Sequence, residues 1–294
     1  MKIRRSIGEI IFDTFNICIM VLAGFVALYP FLHIIFASFS EPALLVKNTG
    51  LLWGPAGFSL AGYQAVIQNK EIIIGYGNTL FYVIVGTTIS VIITAMLAYV
   101  LANRKLKLRV FLSKMITITM FFSGGMIPLY MVVKNLGLLD TRWSVILPSV
   151  LNTYNLLIMR TAYVNISPSY SEAASIDGAG NFTVFWKVIL PLCKPTLAVM
   201  VLYYGVAYWN SWFSAMIYIK DRELFPLQLF LREILIESSA SDMALNSSSK
   251  GEMAFLEEVV KYATTVVATL PILCIYPFVQ KYFVKGVTLG GVKE

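Results

Sequence analysis

Residues 78–102 read NTLFYVIVGTTISVIITAMLAYVLA, and residues 103–109 continue NRKLKLR. The first stretch runs 25 residues without Asp, Glu, Lys, Arg or His, and about 20 mostly apolar residues suffice for a helix to cross the hydrocarbon of a bilayer. The second places Arg104, Lys105, Lys107 and Arg109 directly behind it. An apolar run with a basic exit reads as a spanning helix that ends in the cytoplasm, because short loops rich in Lys and Arg stay on that side.

Five further stretches have the same character: 14–36, 113–133, 144–161, 195–219 and 262–283. The fourth of these six spans is short and contains Asn152 and Asn155. The whole chain supports the reading. Of 294 residues, 58% are hydrophobic and only 13% charged, about half the charged share of a soluble domain, and the mean hydropathy is +0.75. The expected fold is all-α: a polytopic membrane bundle of six transmembrane helices, forming a single transmembrane domain over 1–294. The N-terminal Met1-Lys2-Ile3-Arg4-Arg5 resembles the start of a signal peptide, but the apolar run behind it exceeds the roughly 7–15 residues of a signal core and reads as a retained first span.

An even number of spans puts both termini on one side. Lys2, Arg4 and Arg5 precede the first span, Arg160, Lys187 and Lys194 lie between the fourth and fifth, and Lys281, Lys285 and Lys293 close the chain. With the cluster after residue 102 they share one face, which is therefore cytoplasmic. The net charge of +7 thus serves membrane orientation and not nucleic acid. The opposite face holds Asp221, Glu223, Glu233, Glu237, Asp242, Glu252, Glu257 and Glu258 in an external loop over 220–261. Within it, 224–236 has the composition of a short amphipathic helix, and the Ser-rich 238–250 reads as mobile.

Several chemistries find no residues. No span interior holds Asp or Glu, and Lys114, Arg160 and Lys281 sit near ends. A proton- or ion-coupled carrier keeps ionisable groups at mid-membrane, so this bundle takes its energy from elsewhere or forms a passive path. Cys18, Cys193 and Cys274 have no CxxC spacing and read as small packing residues. The lone His33 has no acid or nucleophile beside it and reads as structural. No phosphate-binding GxxxxGK[ST], GxSxG or HExxH occurs, so the chain reads as a non-enzyme that binds no cofactor.

The segment over 162–194 has a different texture. It includes Ser167-Pro168-Ser169-Tyr170-Ser171-Glu172-Ala173-Ala174-Ser175-Ile176-Asp177-Gly178-Ala179-Gly180. Ser-Pro is a helix start, and Glu172 is placed in about the first turn, where the helix dipole favours an acid. Ala173 and Ala174 permit close approach of another surface, and Gly178 and Gly180 end or bend the helix. A second short helix over 183–189 is expected to stop at Pro191. Two short helices about a glycine turn make a cytoplasmic knob suited to a groove in a partner.

Glu172-Ala173-Ala174, Asp177-Gly178-Ala179 and Ile189-Leu190-Pro191 resemble the "EAA" loop of bacterial ABC importer permeases. The Asp-Gly-Ala form is similar to that of the carbohydrate-uptake branch. Asn135-Leu136-Gly137-Leu138-Leu139-Asp140-Thr141, Trp209-Asn210-Ser211-Trp212-Phe213 and the tail 285–293 resemble oligosaccharide-type permeases of Gram-positive bacteria. The resemblance implies a type I importer permease in the bacterial plasma membrane, one of two, commonly a heterodimer, that form the pore. Two ATPase subunits carrying ATP and Mg would dock on the cytoplasmic coupling helix through Glu172, Ala173, Ala174, Asp177, Gly178, Ala179 and Pro191. An external binding protein would deliver the sugar, and the tail 286–293 would also reach the ATPases. A secondary, ion-coupled transporter is the alternative, though it has no use for the knob.

Two features keep two readings each. Tyr203, Tyr204, Tyr208, Trp209 and Trp212 either stack sugar along a pore or form an interfacial belt and helix packing. With Asn152, Tyr154, Asn155 and Asn210, Tyr203, Tyr204, Tyr208 and Trp209 make up the candidate substrate pathway, since polar groups at this depth face protein or water. Gly124-Gly125 with Pro128 is either a hinge or a site of close helix packing.

Overall fold

The computed structural model of the protein describes residues 6–48, 50–244 and 252–288, and among them every regular element is helical. In chain order these are α1 (Ile7–Ser38), α2 (Pro42–Lys47), α3 (Ala61–Gln68), α4 (Lys70–Phe81), α5 (Thr87–Ala102), α6 (Arg109–Phe121), α7 (Met126–Asn135) and α8 (Trp143–Ile146). There follow α9 (Thr153–Val164), α10 (Pro168–Ile176), α11 (Asn181–Val184), α12 (Leu190–Leu192), α13 (Lys194–Trp209), α14 (Trp212–Tyr218), α15 (Leu227–Ala244) and α16 (Glu252–Thr288). Lys2, Arg4, Arg5, Lys293, residues 245–250 and most of the tail 286–293 lie outside the described residues.

Among the described residues, unbroken helices long and apolar enough to cross a bilayer are Ile7–Ser38, Lys70–Ala102 and Phe255–Ile275. The expected spans 14–36, 78–102 and 262–283 fall on these helices, the last within α16. The other three are interrupted. α6 and α7 meet at 114° across residues 122–125, where Gly125 takes φ +85°. Among the described residues no atom comes within 4 Å of a Cβ built on Gly125, so there this glycine provides backbone freedom and not close packing. The fourth span, expected as one helix over 144–161, is two pieces. Pro148 sits in a 3-10 turn, Leu147–Ser149, and Asn152 caps α9 by accepting from the Asn155 N–H at 3.1 Å, both local preferences that end a helix. The fifth span breaks at Asn210-Ser211, between α13 and α14.

The segment 220–261 is helical over much of its length. After a short turn, Arg222–Leu224, α15 runs through 238–244, the described part of the Ser-rich stretch 238–250.

The chain divides into two compact units, one within Met1–Asn69 and Glu233–Thr269 and one within Lys70–Arg232 and Leu270–Glu294. In the first, α1 keeps its apolar surface exposed over nearly its whole length, as a helix solvated by lipid does. Its last turn packs Ala37 with Leu45, Leu52 and Val259. His33 lies against Tyr29 and Tyr262, with ring centroids 6.1 Å away in both cases, a packing position. α3 closes on α16 at Gly62, where an added Cβ would stand 2.7 Å from Val259 Cγ1.

The second unit has its core where α4, α5, α9 and α13 meet, around Tyr82, Ala98, Leu156, Met159, Met200 and Tyr204. Between α4 and α5 the helix widens into a π turn, Tyr82–Gly86. A Cβ on Gly86 would fall 2.7–2.9 Å from the Tyr208 ring, so glycine is what lets α13 lie this close. Asn78, Thr79 and Tyr82 stitch this helix to the segment before α15. Asn78 Nδ2 donates to the Glu223 and Phe225 carbonyls at 2.7 and 3.1 Å, and its Oδ1 accepts from Arg142 at 3.0 Å. Tyr82 donates to the Leu224 carbonyl at 2.8 Å, and the Leu227 N–H donates to Thr79 Oγ1 at 2.9 Å.

Candidate functional site

The coupling segment forms as its residues dictate. Pro168 takes the first helical position of α10, and the Ser167 side chain accepts from the Ser169 N–H at 3.4 Å. At the other end Gly178 takes φ +80°. The Ala179 N–H then reaches the Ala174 carbonyl at 2.9 Å and the Gly178 N–H reaches the Ser175 carbonyl at 3.1 Å, the paired bonds by which a left-handed residue closes a helix. Glu172 is not in the first turn: it is the fifth residue of α10, beyond the strongest reach of the dipole. The second helix is longer than expected. α11, a π turn Phe185–Ile189 and α12 run on as Asn181–Leu192 and turn by 85° into α13. Pro191 does not stop it; the bend comes after Leu192.

The segment has two faces. Ala174 and Ala179 are half-buried against the core that contains Val184, Phe185 and Ile189. Glu172, Ala173, Asp177, Gly178 and Pro191 are exposed, and Ile176 is 86% exposed. An exposed isoleucine between two acids, on a rigid helix with small neighbours, has the make-up of a contact surface.

A second feature is a cavity of about 1280 Å³ lined by α5, α9, α13, α16 and the break in the fourth span. Its walls are mostly aliphatic. The polar groups on it include Thr87, Thr88, Ser149, Asn152, Tyr154, Asn155 and Tyr203. Of the expected pathway residues, Asn152, Tyr154, Asn155, Tyr203, Tyr204 and Trp209 border this cavity, whereas Tyr208 and Asn210 border a smaller one of about 160 Å³.

Tyr204 and Tyr208 are both buried, and their hydroxyls are engaged inside the fold. Tyr204 Oη pairs with Thr94 Oγ1 at 2.7 Å and accepts from the Asn152 N–H at 3.0 Å. Tyr208 Oη pairs with Ser90 Oγ at 3.0 Å and donates to the Ile146 carbonyl at 3.2 Å. Ile146 and Asn152 flank the interruption of the fourth span, where backbone groups lose their helical partners. The tyrosines supply those partners, which permits a broken helix at this depth. Tyr154 and Tyr203 face each other with centroids 6.4 Å apart, and Tyr154 is 52% exposed. Ser90, Thr94, Ser149 and Thr87 were not singled out from sequence. Ser90 and Thr94, one turn apart, face Tyr208 and Tyr204, also one turn apart, and that matched spacing was the available signal.

Elsewhere in this unit, Asp140 adopts φ +59°. Its carboxylate accepts from the Lys220 and Asp221 N–H groups at 2.8 and 2.9 Å, and those bonds hold its pKa below the usual carboxylate value.

Residues 79–289 match the family described as the binding-protein-dependent transport system inner membrane component. The chain belongs to this family. The permease is 40% identical over 283 residues to Protein LplC of Bacillus subtilis (strain 168), covering 96% of this chain and 95% of that one. It is 38% identical to the polygalacturonan/rhamnogalacturonan transport system permease protein YtcP of the same organism, covering 96% and 98%. Among solved structures, a bacterial ABC transporter involved in the import of the acidic polysaccharide alginate contains a chain that superimposes with TM-score 0.86 at 31% identity, covering 96% of this permease and all of that chain. The permease is therefore a membrane-embedded transport subunit of a binding-protein-dependent ABC importer and not an enzyme, which removes the ion-coupled carrier. Membership implies an ATPase and a solute-binding protein as partners.

Proposed function

We propose that this permease imports an oligosaccharide, paired with a second permease, and is driven by two ATPase subunits, one of which seats against the exposed face of α10. ATP and Mg are held by those subunits. Both termini and the α10 knob lie in the cytoplasm, six crossings span the membrane, and the segment 220–261 faces outward. The saccharide class is supported by the cargo named for YtcP and for the alginate importer. The observation that carries the coupling reading is the exposed Glu172–Ala173–Ile176–Asp177 surface on a helix closed by a glycine with positive φ. Such a body transmits a push, because its backbone groups are satisfied internally and its ends are fixed. Cargo passes along the wall that carries Asn152, Tyr154 and Tyr203, while Tyr204 and Tyr208 hold that wall in shape.

The test replaces Glu172 with Arg, and separately Asp177 and Gly178 together with bulky residues, in the assembled transporter. Membrane levels stay normal, the ATPase no longer co-purifies, and uptake falls at least about tenfold, the loss of roughly 1.4 kcal/mol of docking energy. Normal co-purification with normal uptake in the double variant refutes the docking surface.

A further inference from the structure

In the first unit, α1 has 32 residues and is about 48 Å long at 1.5 Å per residue, whereas the hydrocarbon of a bilayer is about 30 Å thick. The helix outruns the membrane, and its side chains mark where it leaves. Residues 17–32 carry no charged, amide, Ser or Thr side chain, and His33 follows. Rings gather at this level. Trp53, between α2 and α3, lies 5.4 Å from the Tyr29 ring and stacks on Phe25 at 6.0 Å. Tyr29 donates to the Leu52 carbonyl at 3.3 Å, and His33 links Tyr29 to Tyr262 of α16. α16 changes character at the same point. Glu257, Glu258 and Lys261 precede Tyr262, with Lys261 over its ring at 5.4 Å, and residues 263–280 carry no charge. Two helices thus turn from polar to apolar at one collar of rings. Asp13 lies 20 residues before His33, about one hydrocarbon thickness along a helix, so the other boundary also falls at a charge.

Trp53 is 68% exposed and Leu51 is 66% exposed, while Leu52 between them is buried. The Trp53 ring continues the exposed apolar surface of α1, so what solvates that surface also meets Trp53. An indole has an apolar body and one N–H at its edge, which suits the layer between acyl chains and water where Trp and Tyr collect. We propose that Trp53 is a lipid anchor: the segment over 50–54 folds back on α1 and sets this indole among the phospholipid headgroups, and Tyr29, His33 and Tyr262 mark the same depth. The crossing made by α1 then lies nearer its N-terminus than 14–36, and its last turn, with Ala37 and Ser38, stands outside the hydrocarbon.

The complete transporter is reconstituted in nanodiscs of phosphatidylcholine brominated either near the headgroup or near the acyl-chain ends. Tryptophan emission is recorded for wild type and Trp53→Phe, and the difference isolates Trp53 from the other tryptophans. Trp53→Tyr, which keeps an interfacial ring, gives the same subtraction if the Phe variant assembles poorly. The expected result is that the difference emission loses about half its intensity or more with headgroup-proximal bromine, less with distal bromine, and least with aqueous iodide. Strong iodide quenching without a bromine effect places Trp53 in water. Insensitivity to both places a protein surface over it, and quenching greatest with distal bromine places it below the headgroups. Each of these three results overturns the proposal.

Discussion

Tyr208→Phe removes one oxygen and leaves a ring that still fits against Gly86. The lost oxygen bonds Ser90 Oγ at 3.0 Å and the Ile146 carbonyl at 3.2 Å, so a buried hydroxyl and a carboxyl-end helix carbonyl are left without that partner. A protein hydrogen bond contributes about 0.5–1.5 kcal/mol net, and interhelical bonds in membranes average about 0.6 with a maximum near 1.7. Two bonds therefore give a loss of about 1–3 kcal/mol. At 1.4 kcal/mol per decade, the unfolding equilibrium shifts roughly 5- to 150-fold. The assay is reversible unfolding of the permease in mixed micelles titrated with dodecyl sulfate. Ser90→Ala and the double variant complete a cycle whose coupling energy is about 0.5–1.5 kcal/mol. The range of saccharides taken up by the assembled transporter stays the same, because this hydroxyl is engaged by Ser90 and the Ile146 carbonyl. A stability change under about 0.3 kcal/mol, or an altered saccharide profile, refutes the reasoning.

Gly75→Ala puts a Cβ 2.9 Å from the Leu227 Cα and from Phe230 Cδ2; backbone cannot move aside as a side-chain tip does, so unfolding in the same assay shows a loss of about 1–3 kcal/mol. The Asp140 clamp carries a pH signature. Its carboxylate pKa is depressed by the Asp221 and Lys220 N–H groups, so its contribution is fully present above the unfolded value of about 3.9 and fades as pH falls through the folded value. Melting temperatures of wild type and Asp140→Asn, whose side chain tolerates the same positive φ, therefore differ near neutral pH and converge at the acid end.

Much of the α10 knob was legible locally. Ser-Pro opens it and Asp-Gly closes it, and both are choices a few neighbouring residues make, so the helix and its glycine turn follow from sequence. The position of Glu172 did not, because the start of the helix at Pro168 moves it past the first turn. The fourth span was legible as weak, through Asn152 and Asn155, but its break was not. Whether a backbone can be interrupted at that depth depends on who satisfies Ile146 and Asn152, and those partners are about 50–60 residues away, on α13.

The sequence by itself determined that this chain lives in lipid, which end of its spans is basic, and that a short helix built for contact interrupts the apolar pattern. Composition and period decide such matters, since they depend on each residue's solvation and its nearest neighbours along the chain. Only the tertiary structure decided that the Tyr204 and Tyr208 hydroxyls go to bracing the broken span, a division of roles that the sequence left open. That division depends on which helix lies against which, at distances of 3 Å across elements remote in sequence, and no local rule encodes it.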